Sequence, residues 1–510
     1  MKSQKIICLL LVMIMAFLPV IASSCGGESS GNINETNTST DSPENKNDDT
    51  MKTDAEPTKY VAGYLPEKNY DGYEFRMVAY DGTDWDLTTA ANIEEETGDT
   101  VNDAIYKRNR LIEEKYNINF KQIGSPYYYD LTSTFKKSTT AGSDDFDLCM
   151  LIARDAWATA LTGTVVPVIN LPYLDISQPW YVQEVNRHIT INNKLYFAYS
   201  DECLNMFEFT ICIMFNKKLV EDFALDNMYN LVKNNKWTID KFFEMSKGIV
   251  ADLDGDGVMT DTDRYGILAQ NDMLYPNFWV SSGIKTVNKD VDDLLVFTGD
   301  NEKLYNVLEK TYQNLFGGDK IFFDTFSDRI TSYQHGGGDD IRRVATMQFE
   351  DNLGLFFVTM IGVIPTLRAM ETDFGILPFP KYDEAQEKYY ARVVDGWINC
   401  VPNYAPNLER TSIIMEALAV ESRNYTIPAY FETALRTKHA RDDESQEMLD
   451  IIHANRTMDL GDTLYMDPVR NIYSGVLNAK KDNFASAVEK ALNSVNRTLE
   501  KANDAALALD

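Results

Sequence analysis

The amino-acid sequence predicts an α/β protein of two domains with a mostly helical C-terminal part. Three observations predict it. Between Glu74 and Ala153, apolar runs of strand length alternate with amphipathic runs of helix length, the order that gives parallel strands connected by helices. The stretch from Tyr60 to Asp510 is long enough for two domains. From Asn407 onward the pattern is helical. No internal repeat is present, which excludes solenoids and propellers.

Each element follows from its residues. Glu74 to Tyr80 (EFRMVAY) reads as a strand, and Val101 to Tyr116 as a helix with Val101, Ile105, Ile112 and Tyr116 along one stripe. Asn117 to Ile123 is a strand, Leu131 to Thr139 a helix, and Phe146 to Ala153 (FDLCMLIA) a strand apolar enough to be buried on both faces. Ligands of such sheets sit outside the carboxyl ends of the strands. The loops after Tyr80 and after Ala153 therefore offer Asp81, Trp85, Arg154, Asp155 and Trp157 as candidate binding residues. A second region starts near Tyr196. Phe209 to Asn216 is strand-like and Lys217 to Phe223 begins a helix. Thr238 is placed to cap the next helix, with Trp237 and Phe242 as its hydrophobic staple. Val344 to Phe349 and Phe374 to Leu377 read as further strands.

The N-terminus sets the compartment. Lys2 and Lys5 precede an apolar stretch from Ile6 to Ile21, too short for a membrane span, and Ala22, Ser23 and Ser24 precede Cys25. This reads as a signal peptide over residues 1–24. The segment resembles a bacterial lipobox, with Ala22 where Leu is usual, and the resemblance implies Cys25 as the lipidated first residue of the mature chain, an ordinary secreted protein with a chance cysteine being the alternative. Residues 26–59 are polar throughout and cannot bury enough surface to order themselves. They form a linker with a reach of about 30 Å, which holds a folded body off a membrane.

Removing the signal peptide leaves 46 basic against 78 acidic residues, a formal charge of −32. Nucleic acid is excluded as a partner, because phosphate contacts need clustered Lys and Arg. Of six cysteines, Cys8 belongs to the signal and Cys25 to the anchor. Cys149, Cys203, Cys212 and Cys400 sit among apolar residues as buried free thiols, with a Cys203–Cys212 bridge as the alternative.

The sharpest motif runs from Asp252 to Asp263. Asp252, Asp254, Asp256, Thr260 and Asp263 place oxygens at positions 1, 3, 5, 9 and 12 of an EF-hand-type loop, Gly257 takes the sharp turn, and Val258 offers its carbonyl. One Ca²⁺ fits this pattern, in a structural role. Catalytic signatures point nowhere. No H-E-x-x-H, P-loop, C-x-x-C or G-x-G-x-x-G is present, and His188, His335, His439 and His453 are scattered. Carboxylate pairs carry no weight, since 78 acidic residues make them inevitable.

Several segments resemble the family 1 extracellular solute-binding proteins. Tyr196-Phe-Ala-Tyr199 followed by Phe215-Asn216-Lys217-Lys-Leu219 is similar to that family's hinge segment. Trp237-Thr238-Ile-Asp240, the Asp252 loop and Tyr265-Gly266-Ile267 resemble a signature of its carbohydrate importers. Val344-Ala-Thr-Met347 and Asp373-Phe-Gly375-Ile-Leu-Pro378-Phe-Pro380 resemble its return strands, and Val401-Pro402 through Glu409-Arg410 completes the order. The tail beyond Glu421 is longer than in the compact members, and His335 to Asp340 has no counterpart.

The resemblance implies a two-lobed, type II periplasmic-binding-protein-like fold, with lobe 1 formed by 60–200 and 344–397 and lobe 2 by 201–343 and 398–510. It implies crossings near Tyr199 to Cys212, Val344 to Phe349 and Trp397 to Pro402. It places Asp81, Arg154, Asp155, Trp157, Glu208, Tyr275, Trp279, Glu350, Asp351, Asp395 and Trp397 around a ligand cleft, with Trp279 and Trp157 as stacking platforms. The implied protein is no enzyme. It is a monomeric lipoprotein on the outer face of the cytoplasmic membrane that captures a small solute, an oligosaccharide, and delivers it to ABC permease subunits. A calcium-bearing polysaccharide-degrading enzyme and a non-transport carbohydrate-binding lipoprotein remain alternatives. Release of reducing sugar marks the first, and absence of closure on any ligand marks the second.

Overall fold

A computed structural model describes residues 59–81, 91–324, 341–435 and 442–509. The signal peptide, Cys25, the linker to Thr58, Trp85 and His335 to Asp340 lie outside the described residues. The strands, in chain order, are β1 (Tyr73–Tyr80), β2 (Ile118–Ser125), β3 (Leu148–Ile152), β4 (Ile211–Asn216), β5 (Tyr265–Ala269), β6 (Val287–Lys289), β7 (Leu295–Phe297), β8 (Phe322–Asp324), β9 (Gly354–Met360), β10 (Phe374–Leu377), β11 (Ala391–Arg392), β12 (Trp397–Cys400) and β13 (Arg456–Thr457).

Two sheets organise them. The first has the order β12-β3-β1-β2. Its first three strands in the chain are parallel, with Tyr73 opposite Ile118 and Met77 opposite Leu148, and β12 closes it antiparallel, with Trp397 opposite Ile152. All five residues of β3 are buried, as the uninterrupted apolar run predicts for a strand covered on both faces. Helix α1 (Thr100–Tyr116) starts at Asp99, whose carboxylate accepts from the amides of Val101 at 3.0 Å and Asn102 at 2.9 Å. Those are two of the donors a helix start leaves unpaired. Its predicted stripe is buried. Helices α2 (Tyr128–Ala141) and α3 (Ala153–Ala160) follow β2 and β3.

The second sheet has the order β10-β4-β9-β5-β8. Strands β5, β8 and β9 run parallel, and β4 is antiparallel to β9 and β10. The helix Ile239–Lys247 beside it is capped as expected. The Thr238 hydroxyl accepts from the Lys241 amide at 3.3 Å, and the Trp237 and Phe242 rings meet edge to face at 6.0 Å.

Two expectations are corrected. Val344 to Phe349 is part of the helix Ile341–Glu350, not a strand. Val344, Ala345, Thr346, Gln348 and Phe349 are buried and Met347 is half-buried, and a short apolar run of this kind does not separate helix from strand. The strand lies just beyond, in the fully buried β9. The lobe boundaries change with it. Strands β9 and β10 hydrogen-bond in the second sheet and β12 in the first, so the chain returns to lobe 1 at 393–397, not at 344–349. The helix Leu408–Glu421 packs on α1, whereas Asp443–Ala454 packs on β10, so the third crossing runs between these helices.

The described chain begins on the first lobe. The Tyr60 amide donates to the Asn424 side chain at 2.8 Å, and that side chain donates back to the Tyr60 carbonyl at 3.0 Å. Nearby, Glu416 accepts from the Tyr64 hydroxyl, from Trp180 Nε1 at 2.9 Å and from the Tyr181 hydroxyl at 2.6 Å. In the C-terminal block, residues 442–509, Asp462 is gripped by Arg392 of β11 with two bonds of 2.6 and 3.0 Å, both side chains fully buried. Cys149, Cys203, Cys212 and Cys400 are all free and buried, so the alternative bridge does not form. Among the described residues no helix is long and apolar enough to cross a membrane.

Candidate ligand-binding cleft

Strand direction decides where the cleft lies. In the first sheet β1, β2 and β3 all end on one edge, at Tyr80, Ser125 and Ile152, and β12 begins there at Trp397. In the second sheet β5, β8 and β9 end at Ala269, Asp324 and Met360, and β4 begins beside them at Ile211. Two short crossings join these edges. Val394 donates to the Phe209 carbonyl at 3.1 Å, Thr210 bridges Val393, and the Trp397 amide donates to Asn205 Oδ1 at 2.7 Å. The carboxyl ends of both sheets thus meet across one hinge, the position at which open α/β sheets bind ligands.

The first-lobe wall is built by the starts of α2 and α3. Asp155 accepts from Thr132 Oγ1 at 2.8 Å, and Arg154 Nε lies 3.8 Å from its other oxygen. Pro126 leads into Tyr127, the cap of α2, and Tyr128 and Tyr129 open the helix. The Tyr127 and Tyr129 rings stack at 5.4 Å and 15°, and are 50% and 57% exposed. Large aromatic faces held open to solvent in this way are suited to stacking. An open cavity of about 750 Å³ runs from Tyr129 along Thr132, Ser133 and Lys136 to Thr140, and reaches Asp155. These positions recur at helical spacing, so one face of α2 presents them together.

Asp395 sits in the hinge between the lobes. One of its oxygens accepts from the Ala153 amide at 3.1 Å and the Gly396 amide at 2.9 Å. Burial pushes its pKa up to about 7, against the pull of the Gly396 amide, the Arg154 guanidinium and the Ala153 amide, while nearby Asp155 adds to the rise. Across the hinge, Asp272 follows β5 at the start of the helix Asn271–Ser281. Burial raises its pKa, opposed by Arg392 and Arg470. Burial lowers the pKa of Arg470, while the charges of Asp462, Asp272 and Asp395 favour its charged form. Trp157 Nε1 donates to the Tyr465 hydroxyl at 2.9 Å, a contact between α3 and the C-terminal block.

The structure brings together only part of the predicted set. Asp81, Arg154, Asp155 and Asp395 line the carboxyl edge. Trp157 is there but 3% exposed, covered by Tyr465. Trp279 is not on a rim: it is fully buried against Tyr473 and donates to Asp459 at 3.2 Å. Trp397 stacks on Tyr80 at 5.4 Å beneath the hinge, and Glu208 is buried in the first crossing near Tyr430. Glu350 and Asp351 lie at the opposite edge of the second sheet, just before the amino end of β9, because the strand there starts later than expected. Tyr275 lines a separate cavity of the second lobe. Sequence reasoning missed Tyr127, Tyr129, Asp272 and Arg470. The three consecutive tyrosines directly after a strand were the available signal for the first two.

The Asp252 loop stands at the amino end of β5, away from the cleft. Ligand oxygens of Asp252, Asp254 and Asp256 all lie within 4.8 Å of one another. Gly255 and Gly257 take φ of 75° and 83°, as the turn requires. Asp263 is fully buried, accepting from the Leu253 amide at 2.8 Å and the Thr260 amide at 2.7 Å.

The sequence matches no protein-family model and no curated protein. Solved structures do match. A cyclo/maltodextrin-binding protein complexed with maltotetraose is similar over 84% of this chain and 97% of its own, at 13% identity and a TM-score of 0.54. An ABC substrate-binding protein from Listeria monocytogenes in complex with cycloalternan is similar over 84% and 100%, at 11% identity and 0.53. The chain has the type II periplasmic-binding-protein fold. This type II fold is not tied to one ligand chemistry. UgpB from Mycobacterium tuberculosis in complex with glycerophosphocholine is similar over 86% and 99%, at 14% identity and 0.51.

The hinge carboxyl makes a prediction. Unfolded Asp395 titrates near 3.9, as a free aspartate does. Between that pH and about 7 the native chain holds a proton the unfolded chain has released, so this group's contribution to stability falls as pH rises through the window. Asp395→Asn keeps the amide acceptor and removes the titration. Urea unfolding at pH 4.5 and pH 8 should show wild type losing about 1–2 kcal/mol relative to the variant, after discounting for solvent screening. Identical pH slopes would refute the assignment.

Proposed function

We propose that this chain is the solute-binding subunit of an ABC importer, a lipoprotein that captures an oligosaccharide between its lobes and presents it to the membrane permease. The observation that carries this reading is the cleft itself: two sheets whose carboxyl ends meet across paired crossings, with exposed tyrosines on one wall. Stacked rings match the C–H faces of sugars, while Asp155, Arg154 and Asp395 offer partners for hydroxyls. The lobes swing on the crossings, and Trp157 and Tyr465 meet as the cleft shuts. Binding, not turnover, is the output.

Calorimetry with a series of oligosaccharides should find one bound per chain and unchanged afterwards. Tyr129→Ala should weaken binding by about 1.5–3 kcal/mol if a sugar covers the ring. Undiminished affinity with the fold intact removes Tyr129 from the site, and release of reducing sugar moves the protein to the enzymes.

The reading includes one structural Ca²⁺ held by Asp252, Asp254, Asp256, the Val258 carbonyl, Thr260 and Asp263. Three carboxylates converging at an exposed turn favour a hard divalent cation. Because the loop packs at the amino end of β5, the metal supports the second lobe and leaves the ligand untouched. Chelation should lower the melting temperature and Ca²⁺ restore it, and Asp252→Ala with Asp256→Ala should abolish the response. A wild-type melting curve indifferent to chelator ends the calcium proposal.

The reading also includes the anchor. Cys25→Ser should shift the protein from the membrane fraction to the soluble one with its melting temperature unchanged. Retention of that variant in salt-washed membranes contradicts lipidation.

A further inference from the structure

Away from the crossings, the lobes also touch where two turns interlock. The first turn lies in a stretch tied to the first lobe, by Trp180 and Tyr181 on Glu416 and by the Asn186 side chain, which accepts from the Tyr199 amide at 2.7 Å. Ile191 and Lys194 exchange backbone bonds of 3.0 Å, so Asn192 and Asn193 form a two-residue hairpin turn. Both take left-handed φ, 50° and 58°, as such a turn requires and asparagine tolerates. The second turn is the tip of the β6–β7 hairpin. The Asn503 side chain ties β7 to the helix Phe484–Leu507 through the Leu295 amide at 2.9 Å and carbonyl at 3.0 Å. Thr286, just before β6, is held by Asp459 of the same C-terminal block.

Asp293, at that tip, makes the contact. A two-residue turn leaves the amides of its central residues free to bond outside it, and neighbouring free amides form a concavity for an anion. Here the other lobe supplies the anion. The Asn192 amide donates to the Asp293 carbonyl at 3.0 Å, and the Asn193 amide to Asp293 Oδ2 at 2.9 Å. Oδ1 accepts from Thr190 Oγ1 at 2.9 Å and from Lys289 Nζ at 2.5 Å. Lys289 also donates to the Arg187 carbonyl at 2.7 Å and to the Thr190 hydroxyl. Bonds to an ionised acceptor are stronger than neutral ones. Asp293 is itself left-handed, at φ 61°, which aspartate tolerates. The contact is made by polar groups, and polar interfaces between domains are the ones that part and re-form.

We propose that Asp293 and the Asn192–Asn193 turn form an interlobe latch, which holds the lobes shut in the solute-free chain and thereby sets the affinity of the cleft. The inference rests on the reading of the lobes as a closing pair. It makes Asp293 a positioning residue, which acts through the lobes and not on the solute. A solute that meets lobes already shut does not supply the free energy of closing, so its apparent affinity rises with the fraction of chains that are shut.

Asp293→Asn tests the latch, because asparagine accepts the left-handed turn but removes the charge and turns a donor towards donors. Spin labels on Glu114→Cys in the first lobe and Glu309→Cys in the second, both exposed, report the interlobe distance. The full mature chain carries Cys25→Ser, and Cys149, Cys203, Cys212 and Cys400 are buried. Without any solute, pulsed electron resonance should show the short-distance population falling roughly threefold or more in Asp293→Asn, with a melting temperature that shows the variant folded. Thr190→Val, on the other side of the same contact, should shift the population the same way and add little to Asp293→Asn. Identical distance distributions with and without Asp293→Asn overturn the latch, as do shifts from the two changes that are fully additive. Where an oligosaccharide binds, its Kd should rise by the same factor in Asp293→Asn. An unchanged Kd in a variant whose lobes have opened overturns the effect on affinity. A chain that binds no oligosaccharide refutes the transport reading instead, and the solute-free distances still decide the latch.

Discussion

The two crossings between the lobes hold each other, and the site depends on that. Asn205 accepts from the Trp397 amide, Phe209 accepts from Val394, and Thr210 bridges Val393. The paired residues are 183 or more positions apart in the chain, yet they pair within a few residues of where each sheet ends. Because β4 enters and β12 leaves at this pairing, the carboxyl edges of both sheets are brought to one place. Had the crossings run separately, Asp155 and Asp272 would belong to unrelated surfaces. The same pairing sets Asp395 where three elements converge, which is why its carboxyl is desolvated while it still accepts two amides.

The second lobe divides its functions along the strand direction. Its amino edge carries the acidic loop, tied down by Gln348, whose side chain donates to the Asp261 carbonyl at 2.9 Å, and by the Tyr265 hydroxyl, which donates to the Thr260 carbonyl at 2.8 Å. Its carboxyl edge carries Asp272 and the cleft. Charge that would repel itself is thus kept about one strand length from the cleft edge of the sheet. The C-terminal block reaches the same edge through Arg392 and Asp462. A buried pair of this kind contributes little net stability, but it penalises severely any arrangement that separates the partners.

What was legible in the sequence was local. The β3 run, the α1 stripe, the Thr238 cap with its Trp237–Phe242 staple and the glycine-punctuated acidic loop each carry their pattern within about a dozen residues. Val344 to Phe349 failed because a helix stripe and a strand look alike over six residues. Trp279 failed for a different reason. Its burial depends on Tyr473 and Asp459, almost two hundred residues away, and no local pattern announces a partner so distant. Arg154 and Asp155 stand at the carboxyl edge, where strand polarity alone places them. Asp272 and Arg470 were missed because only the folded C-terminal block brings Arg470 towards the end of β5.

The start of the described chain is clasped by the first lobe. Tyr60 and Asn424 exchange hydrogen bonds, and one carboxylate, Glu416, collects Tyr64, Trp180 and Tyr181. Tension applied through the preceding residues therefore enters the first lobe and is shared over several bonds, without passing through the hinge. In mechanical terms the first lobe is the fixed frame, and the proposed opening and closing of the cleft would leave that clasp untouched.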